Sequence, residues 1–157
     1  RPARQVSDDV SEIREIPQRV ARVFSELAHR ARIRIVIGDE VPELLTRLRS
    51  VNDAEQLMFI LVQNAVQAAD SRKREVLNIT GCIRDNIVEL KFADNCRGIP
   101  PENLSKIFEP FFSTKPRNIG TGLGLSIVRR LLQERGGNIK VESEVGKGTT
   151  FIVTYPA

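Results

Sequence analysis

DAEQLMFILVQNAVQAADS, residues 53–71, is the stretch on which the reading of this chain turns. Leu57, Ile60, Leu61, Ala65 and Ala68 recur at spacings of three and four. That spacing predicts an amphipathic helix from Asp53, as its N-cap, to about Ser71. At about 100° per residue, Asn64 falls inside the apolar stripe, between Ile60 and Ala68. A buried carboxamide without partners costs roughly 1–3 kcal/mol, so something must occupy it. Two occupants suit it: a loop backbone, or a magnesium–phosphate group at the rim of the core that takes the amide oxygen as ligand.

Downstream, strands are predicted near 76–84 and 87–93, joined by Asp85-Asn86. In the second, Val88, Leu90 and Phe92 share the inward parity, while Glu89 and Lys91 face out. Asp94 continues the inward parity where Asn95, Arg97 and Gly98 signal a turn. An inward carboxylate needs donors. Its own turn can supply them, and so can an exocyclic amine such as that of adenine.

Pro100 and Pro101 open a short helix to about Phe108. The stretch FEPFFSTK, residues 108–115, follows, with Phe108, Phe111 and Phe112 as anchors of a mobile lid and Lys115 as a cation within reach of a phosphate. The run GTGLGL, residues 120–125, leads into a helix predicted from Leu123 to Arg135, stopped by Gly136-Gly137. Glycines permit close backbone approach, and a helix N-terminus offers free N–H groups to phosphate. The GxGxG spacing is neither the dinucleotide fingerprint GxGxxG nor a P-loop. Strands near 138–143 and 149–155 flank the turn Gly146-Lys147-Gly148. Upstream, residues 1–10 read as a linker and Val10–Ile16 as a short edge strand. Pro17 starts a helix carrying Val20, Val23, Phe24 and Leu27, and Ile33–Ile37 alternates as a strand. Helices with mostly antiparallel strands predict an α+β sandwich.

Composition narrows the chemistry. The 157 residues suit one domain, with 41% hydrophobic and 28% charged residues. Cys82, Cys96 and the single His29 stand apart, which argues against zinc and for a reducing compartment. The net charge of +4 is scattered, and with no Trp and one Tyr the chain lacks the stacking platforms of a nucleic-acid binder. No apolar run approaches the roughly 20 residues a membrane helix needs.

Taken in order, an Asn within an amphipathic helix, an Asp-turn-Gly after a strand, a Phe-rich box and a GxGxG helix start resemble the N, G1, F and G2 boxes of histidine kinase catalytic domains. These belong to the wider GHKL ATPase group, with type II topoisomerases and large heat-shock chaperones. The resemblance covers about residues 11 to 156. The tail, GGNI at 136–139 through GKGTTF at 146–151, is similar to kinases with a compact lid, including nitrogen-regulation sensors. It implies a two-layer Bergerat-type sandwich, with a mixed, mostly antiparallel sheet covered on one face by helices. Residues 1–10 would then be a linker from a dimerisation helix, and 11–157 the ATP-binding catalytic domain.

The resemblance also implies an activity: Mg²⁺-ATP is bound, and its γ-phosphoryl group passes to a histidine on a separate dimerisation helix of the same parent. A response regulator receiver domain would be the downstream partner. Neither nucleic acid nor direct membrane contact is implied. The setting would be cytoplasmic, the parent a homodimer and this piece a monomer. By the same resemblance Asn64 would hold magnesium, with Gln67 near the phosphates. Asp94 would bind the adenine amine, Gly98 would let the base approach, and Ile99 would pack beside it. Ser113, Thr114 and Lys115 would serve the γ-phosphate. Gly120, Thr121, Gly122, Leu123 and Gly124 would cradle phosphate oxygens, and Thr150 would reach adenine through water. His29, in the sequence LAHR, lacks the acceptor pattern. Two positions depart from the family. Ile60 stands one turn before Asn64, where Asn or Glu is usual, and can neither bind metal nor polarise water. Cys96 replaces the first Gly of the G1 box and is expected to crowd the base or reshape the turn. These departures keep a nucleotide-binding pseudokinase as an alternative, alongside a serine kinase of the anti-sigma-factor type and a conformational ATPase.

Overall fold

The computed structural model describes residues 3–71, 73–113 and 122–157, with side chains from Asp9 onward. Alternating strand patterns give a five-stranded sheet built from β1 (Ile33–Ile37), β2 (Glu75–Arg84), β3 (Ile87–Asp94), β4 (Asn138–Glu144) and β5 (Gly148–Pro156). The strand order is β1-β2-β3-β5-β4. β1 and β2 are parallel, and the other three pairings are antiparallel. The Asp85-Asn86 connection has positive φ at both residues, 51° and 62°, the geometry of a tight hairpin turn that follows the sheet's twist.

Leu77, Ile79, Val88, Leu90, Phe92, Phe151, Val153 and Tyr155 share one face of the sheet and are buried there. Helices α1 (Ala3–Val23), α2 (Ser25–Ala31), α3 (Val41–Leu45), α4 (Val51–Ala68), α5 (Pro101–Leu104) and α6 (Gly124–Gln133) complete the chain, with a short 3-10 turn at Thr46–Leu48. Residues of opposite strand parity, such as Thr80, Cys82 and Lys91, are exposed. The Tyr155 hydroxyl crosses the core to donate to the Leu44 carbonyl at 2.8 Å, which ties β5 to α3.

The N-terminal segment departs from the sequence expectation. Val10–Ile16 is not a strand: it lies within α1, and Pro17 sits inside that helix rather than in its first turn. The predicted stripe of Val20, Val23, Phe24 and Leu27 is also half wrong, because Val23 and Leu27 are exposed. The buried line is Ile13, Ile16, Val20, Phe24 and Ala28, a 3–4–4–4 spacing that packs on α3 and α4. Val10, Ile13 and Ile16 stand three apart, a helical spacing and not the period of two that a strand requires. Ion pairs from Arg14 to Glu43 (2.8 Å) and from Arg19 to Glu55 (2.6 Å) flank this line, partly exposed and so of small weight. Ile16→Ala should therefore lower unfolding stability by about 2–4 kcal/mol, seen as a lower urea midpoint, where an exposed edge-strand residue would change it little.

A site along one edge of helix α4

Helix α4 starts three residues earlier than its sequence suggested. Ser50, not Asp53, is the N-cap, and its hydroxyl accepts the Asp53 N–H at 3.1 Å. The buried face is Ala54, Leu57, Met58, Leu61, Val62, Ala65 and Val66. Ile60, Asn64 and Ala68 form a half-buried edge beside that face. Asn64 is thus on the rim rather than within the buried stripe, as a carboxamide that must face a polar group requires. Gln67, one turn on, shares this half-buried border.

Two segments meet α4 along that edge. The first is the turn after β3. Asp94 Oδ1 accepts N–H bonds from Cys96 (3.0 Å) and from Thr149 on β5 (3.2 Å). The turn-capping reading of Asp94 is therefore realised, through Oδ1. Burial pushes the Asp94 carboxyl above the usual aspartate range, its two N–H donors pull it back, and nearby Glu75 adds to the rise. The Asn95 side chain accepts the Val76 N–H at 2.8 Å, and Arg97 donates to the Gln67 carbonyl at 3.3 Å. The Cys96 side chain is fully buried against α4, with its thiol 3.7 Å from the Ala65 carbonyl. Gly98 has φ 78°, and a Cβ there would stand 2.2 Å from the Glu144 carbonyl oxygen. Its freedom serves the packing of this turn on the β4–β5 hairpin. Ile99 is half-buried and donates its N–H to Ser143 Oγ at 2.8 Å.

The second segment is the start of α6. A Cβ on Gly124 would lie 3.1 Å from Ile60 Cγ2, so Ile60 packs under the glycine strip in place of a polar side chain. Gly122 has φ 74°, and a Cβ there would meet the Phe111 backbone at 2.4 Å, where Phe111 N–H donates to the Gly122 carbonyl at 2.8 Å. Phe108 packs edge-on to Phe151, 6.4 Å between centroids, beneath the Arg129 guanidinium. Phe112 packs partly against the core, but Phe111, expected as an anchor, is 76% exposed with φ 67°. At α6 the cap residue Leu123 contributes no side-chain bond, and no acid lies in the first turn. The N–H groups there lack intrahelical acceptors.

Asn64 and Gln67 thus lie on the helix that two segments touch, the turn carrying Asp94, Gly98 and Ile99 at Ala65 and Gln67, and the start of α6 carrying Gly122, Leu123 and Gly124 at Ile60; Ser113 is exposed just beyond Phe112. Thr114, Lys115, Gly120 and Thr121 lie outside the described residues. Thr150 falls on the other face of the sheet from Asp94, in register with Ala93. Its neighbour Thr149 is the residue paired with Asp94, buried, with its hydroxyl 2.8 Å from Ser143 Oγ. Sequence reasoning missed Thr149 and Ser143. Strand parity counted from Phe151 would have found the former, and nothing local marks the latter. His29 sits exposed in the last turn of α2.

Residues 50–157 match the family model described as histidine kinase-, DNA gyrase B-, and HSP90-like ATPase. Sensor histidine kinase ZraS of Escherichia coli (strain K12) is 33% identical over 124 residues, which are 79% of this chain and 25% of that protein. The nucleotide-free catalytic domain of histidine kinase ThkA has a TM-score of 0.70 at 29% identity, covering 90% of each chain. Full-length ShkA in complex with AMPPNP gives 0.68 at 29% identity over 92% of this chain and 30% of that one. The chain thus spans a quarter or less of the curated sensor kinases it matches. The observed mixed sheet with helices on one face is the architecture of these catalytic domains. The chain belongs to the histidine kinase-, DNA gyrase B-, and HSP90-like ATPase family, as an ATP-binding domain of the histidine kinase type.

Proposed function

We propose that this domain binds Mg²⁺-ATP along the α4 edge and transfers the γ-phosphoryl group to a histidine of a dimerisation helix in the same parent protein. The observation that carries this reading is the ordering of partners on α4. Ile60 touches Gly124, and Ala65 and Gln67 touch the Asp94–Gly98 turn. Ile60 and Ala65 are about 8 Å apart along the helix, with Asn64 between them. A purine seated at Asp94 would then have its phosphates directed at the start of α6.

Asp94 Oδ2 would accept the adenine amine while Oδ1 holds the turn in place. Gly122, Leu123 and Gly124, with Gly120 and Thr121, would surround phosphate oxygens with backbone N–H groups. By resemblance, Lys115 with Ser113 and Thr114 would bind the γ-phosphate. Asn64 fits magnesium as a single oxygen ligand at the phosphate end, with Gln67 beside it. Magnesium usually keeps several waters and shares phosphate oxygens, so a single protein oxygen is enough to hold it there. Magnesium would supply neutralisation of the charge that develops on the phosphates. In the transfer, the bond from γ-phosphorus to the bridging oxygen breaks as a bond to an imidazole nitrogen forms. The chain's own part is orientation and charge placement, since imidazole is already a nucleophile.

The acceptor histidine, the receiver domain and a homodimeric parent are part of this proposal, as is a role for residues 1–10 in leading from the dimerisation helix. A cytoplasmic setting is proposed likewise. Among the described residues no helix is long and apolar enough to cross a membrane. Ile60 favours one second reading, a nucleotide-binding pseudokinase. Labelled ATP with a supplied acceptor domain decides between them: an acid-labile phosphoprotein supports transfer, and nucleotide binding without it rejects the kinase. An acid-stable product would instead point to serine.

Asp94→Ala should weaken ATP binding roughly ten- to hundredfold in a titration, the loss of a buried hydrogen bond to an ionised acceptor. Asn64→Ala should chiefly abolish the magnesium-dependent gain in affinity and the transfer; equal losses in both variants would contradict the separate roles. Because Asp94 must be ionised to accept the amine and its carboxyl is raised by burial, affinity should be full above its pKa and fall as pH drops through it. ADP titrations from about pH 7 to 4 should show this loss at a higher pH than an exposed aspartate would give.

A further inference from the structure

Glu75 is a carboxylic acid in an unusual place. It opens β2, is 3% exposed, and its own N–H donates to the Arg32 carbonyl at 3.0 Å. Its Oε1 accepts the Asp70 N–H at 2.8 Å, from the segment after α4. Its Oε2 has no hydrogen-bond partner among the described residues and is the only buried side-chain polar atom among them in that position. An orphaned carboxylate oxygen costs stability that a Leu or Val here would not, so packing alone does not account for it.

Its surroundings are the base end of the site. Glu75 has the inward parity of Leu77, and Leu77 is in register with Asp94. Glu75 is therefore the diagonal neighbour of Asp94, about 7–8 Å away across the strand pair. The Cys96 thiol lies against both carboxyls. The groups that face Glu75 are thus Asp94 and Cys96 from the turn and the Asp70 N–H from the segment after α4. The nearby cation of the turn, Arg97, directs its guanidinium to the Gln67 carbonyl, and no cation pairs with Glu75 among the described residues. Two carboxyls therefore flank one buried thiol, with no cation between them among the described residues.

We propose that Glu75 is a positioning residue for base recognition, which from beneath the turn sets how strongly the Asp94 carboxylate accepts a hydrogen bond from the purine amine. The proposal deepens the nucleotide reading above and rests on it. A negative neighbour raises the proton affinity of a carboxylate, and a more basic carboxylate is a stronger acceptor. The direction for Asp94 agrees: burial raises it most, and Glu75 adds to the rise. Cys96 belongs to the same device, since a glycine at 96 would leave space between the two carboxyls for water to screen them.

Glu75→Gln keeps an oxygen for the Asp70 N–H and removes the charge. ADP affinity of the full chain, measured against pH, should show its acid-side midpoint lowered by about half a unit, a roughly threefold change on that limb. Glu40→Gln, which alters another carboxylate bound to a backbone N–H, that of Gly81, should leave the midpoint unchanged. An unchanged midpoint in folded Glu75→Gln overturns the proposal. Should that variant not fold, the unmodified protein decides. Carbon-13 spectra of its carboxyls should show two inflections for Asp94 where an uncoupled carboxyl shows one, and a single inflection overturns the coupling. Coupled carboxyls in a protein that binds no ADP at any pH would leave the electrostatics standing and reject both base recognition and the nucleotide reading.

Discussion

One half-buried edge of one helix organises this domain. Helix α4 can lie on the sheet only by burying Leu57, Met58, Leu61 and Ala65, and that burial fixes where Ile60, Asn64 and Gln67 emerge. The two segments that carry the rest of the site are each held to this edge by contacts of their own backbones. Gly124 packs closely on Ile60, where an added Cβ would stand 3.1 Å from Cγ2, and the β3 turn reaches the Ala65 and Gln67 carbonyls through Cys96 and Arg97. The Asp94 turn and the start of α6 are spaced by the rise of α4 rather than by any loop.

The turn itself is over-determined. Asp94 bonds two N–H groups, Asn95 bonds Val76, Ile99 bonds Ser143, and Gly146 donates to the Arg97 carbonyl at 2.7 Å. A carboxylate held in this way is preorganised: its position is set by the turn before any ligand is present. The same fixity explains why Cys96 is tolerated where the family has glycine. The residue does not take a left-handed conformation, and its side chain has a buried slot under α4.

Much of this was legible from residue types and their periods. The β2–β3 hairpin, β1, and the order of Asn64, Asp94 and the glycine strip follow from strand alternation and from polar residues at inward positions. Helix α1 was not legible as such. Its line of Ile13, Ile16 and Val20 is sparse, Pro17 is a residue that usually opens helices, and only the surfaces of α3 and α4 decide that this line is buried. Thr149 was overlooked for Thr150 because two identical residues are adjacent, and a shift of one residue exchanges the faces of a sheet. Asn64 was placed one notch too deep, since an ideal 100° projection does not say where a helix face ends. Glu75 left no mark in sequence, because a glutamate at a strand start reads as a surface residue until its neighbours are known.

The two thiols of the chain differ in a way that makes the domain convenient to instrument. Cys82 projects from the bare side of the sheet, whereas Cys96 is sealed under α4, with burial and two adjacent carboxyls disfavouring its thiolate. A maleimide dye or spin label added to the unaltered polypeptide would therefore attach at a single location. That location is separated from the α4 edge by the thickness of the sheet, so the reporter would not collide with the residues along that edge.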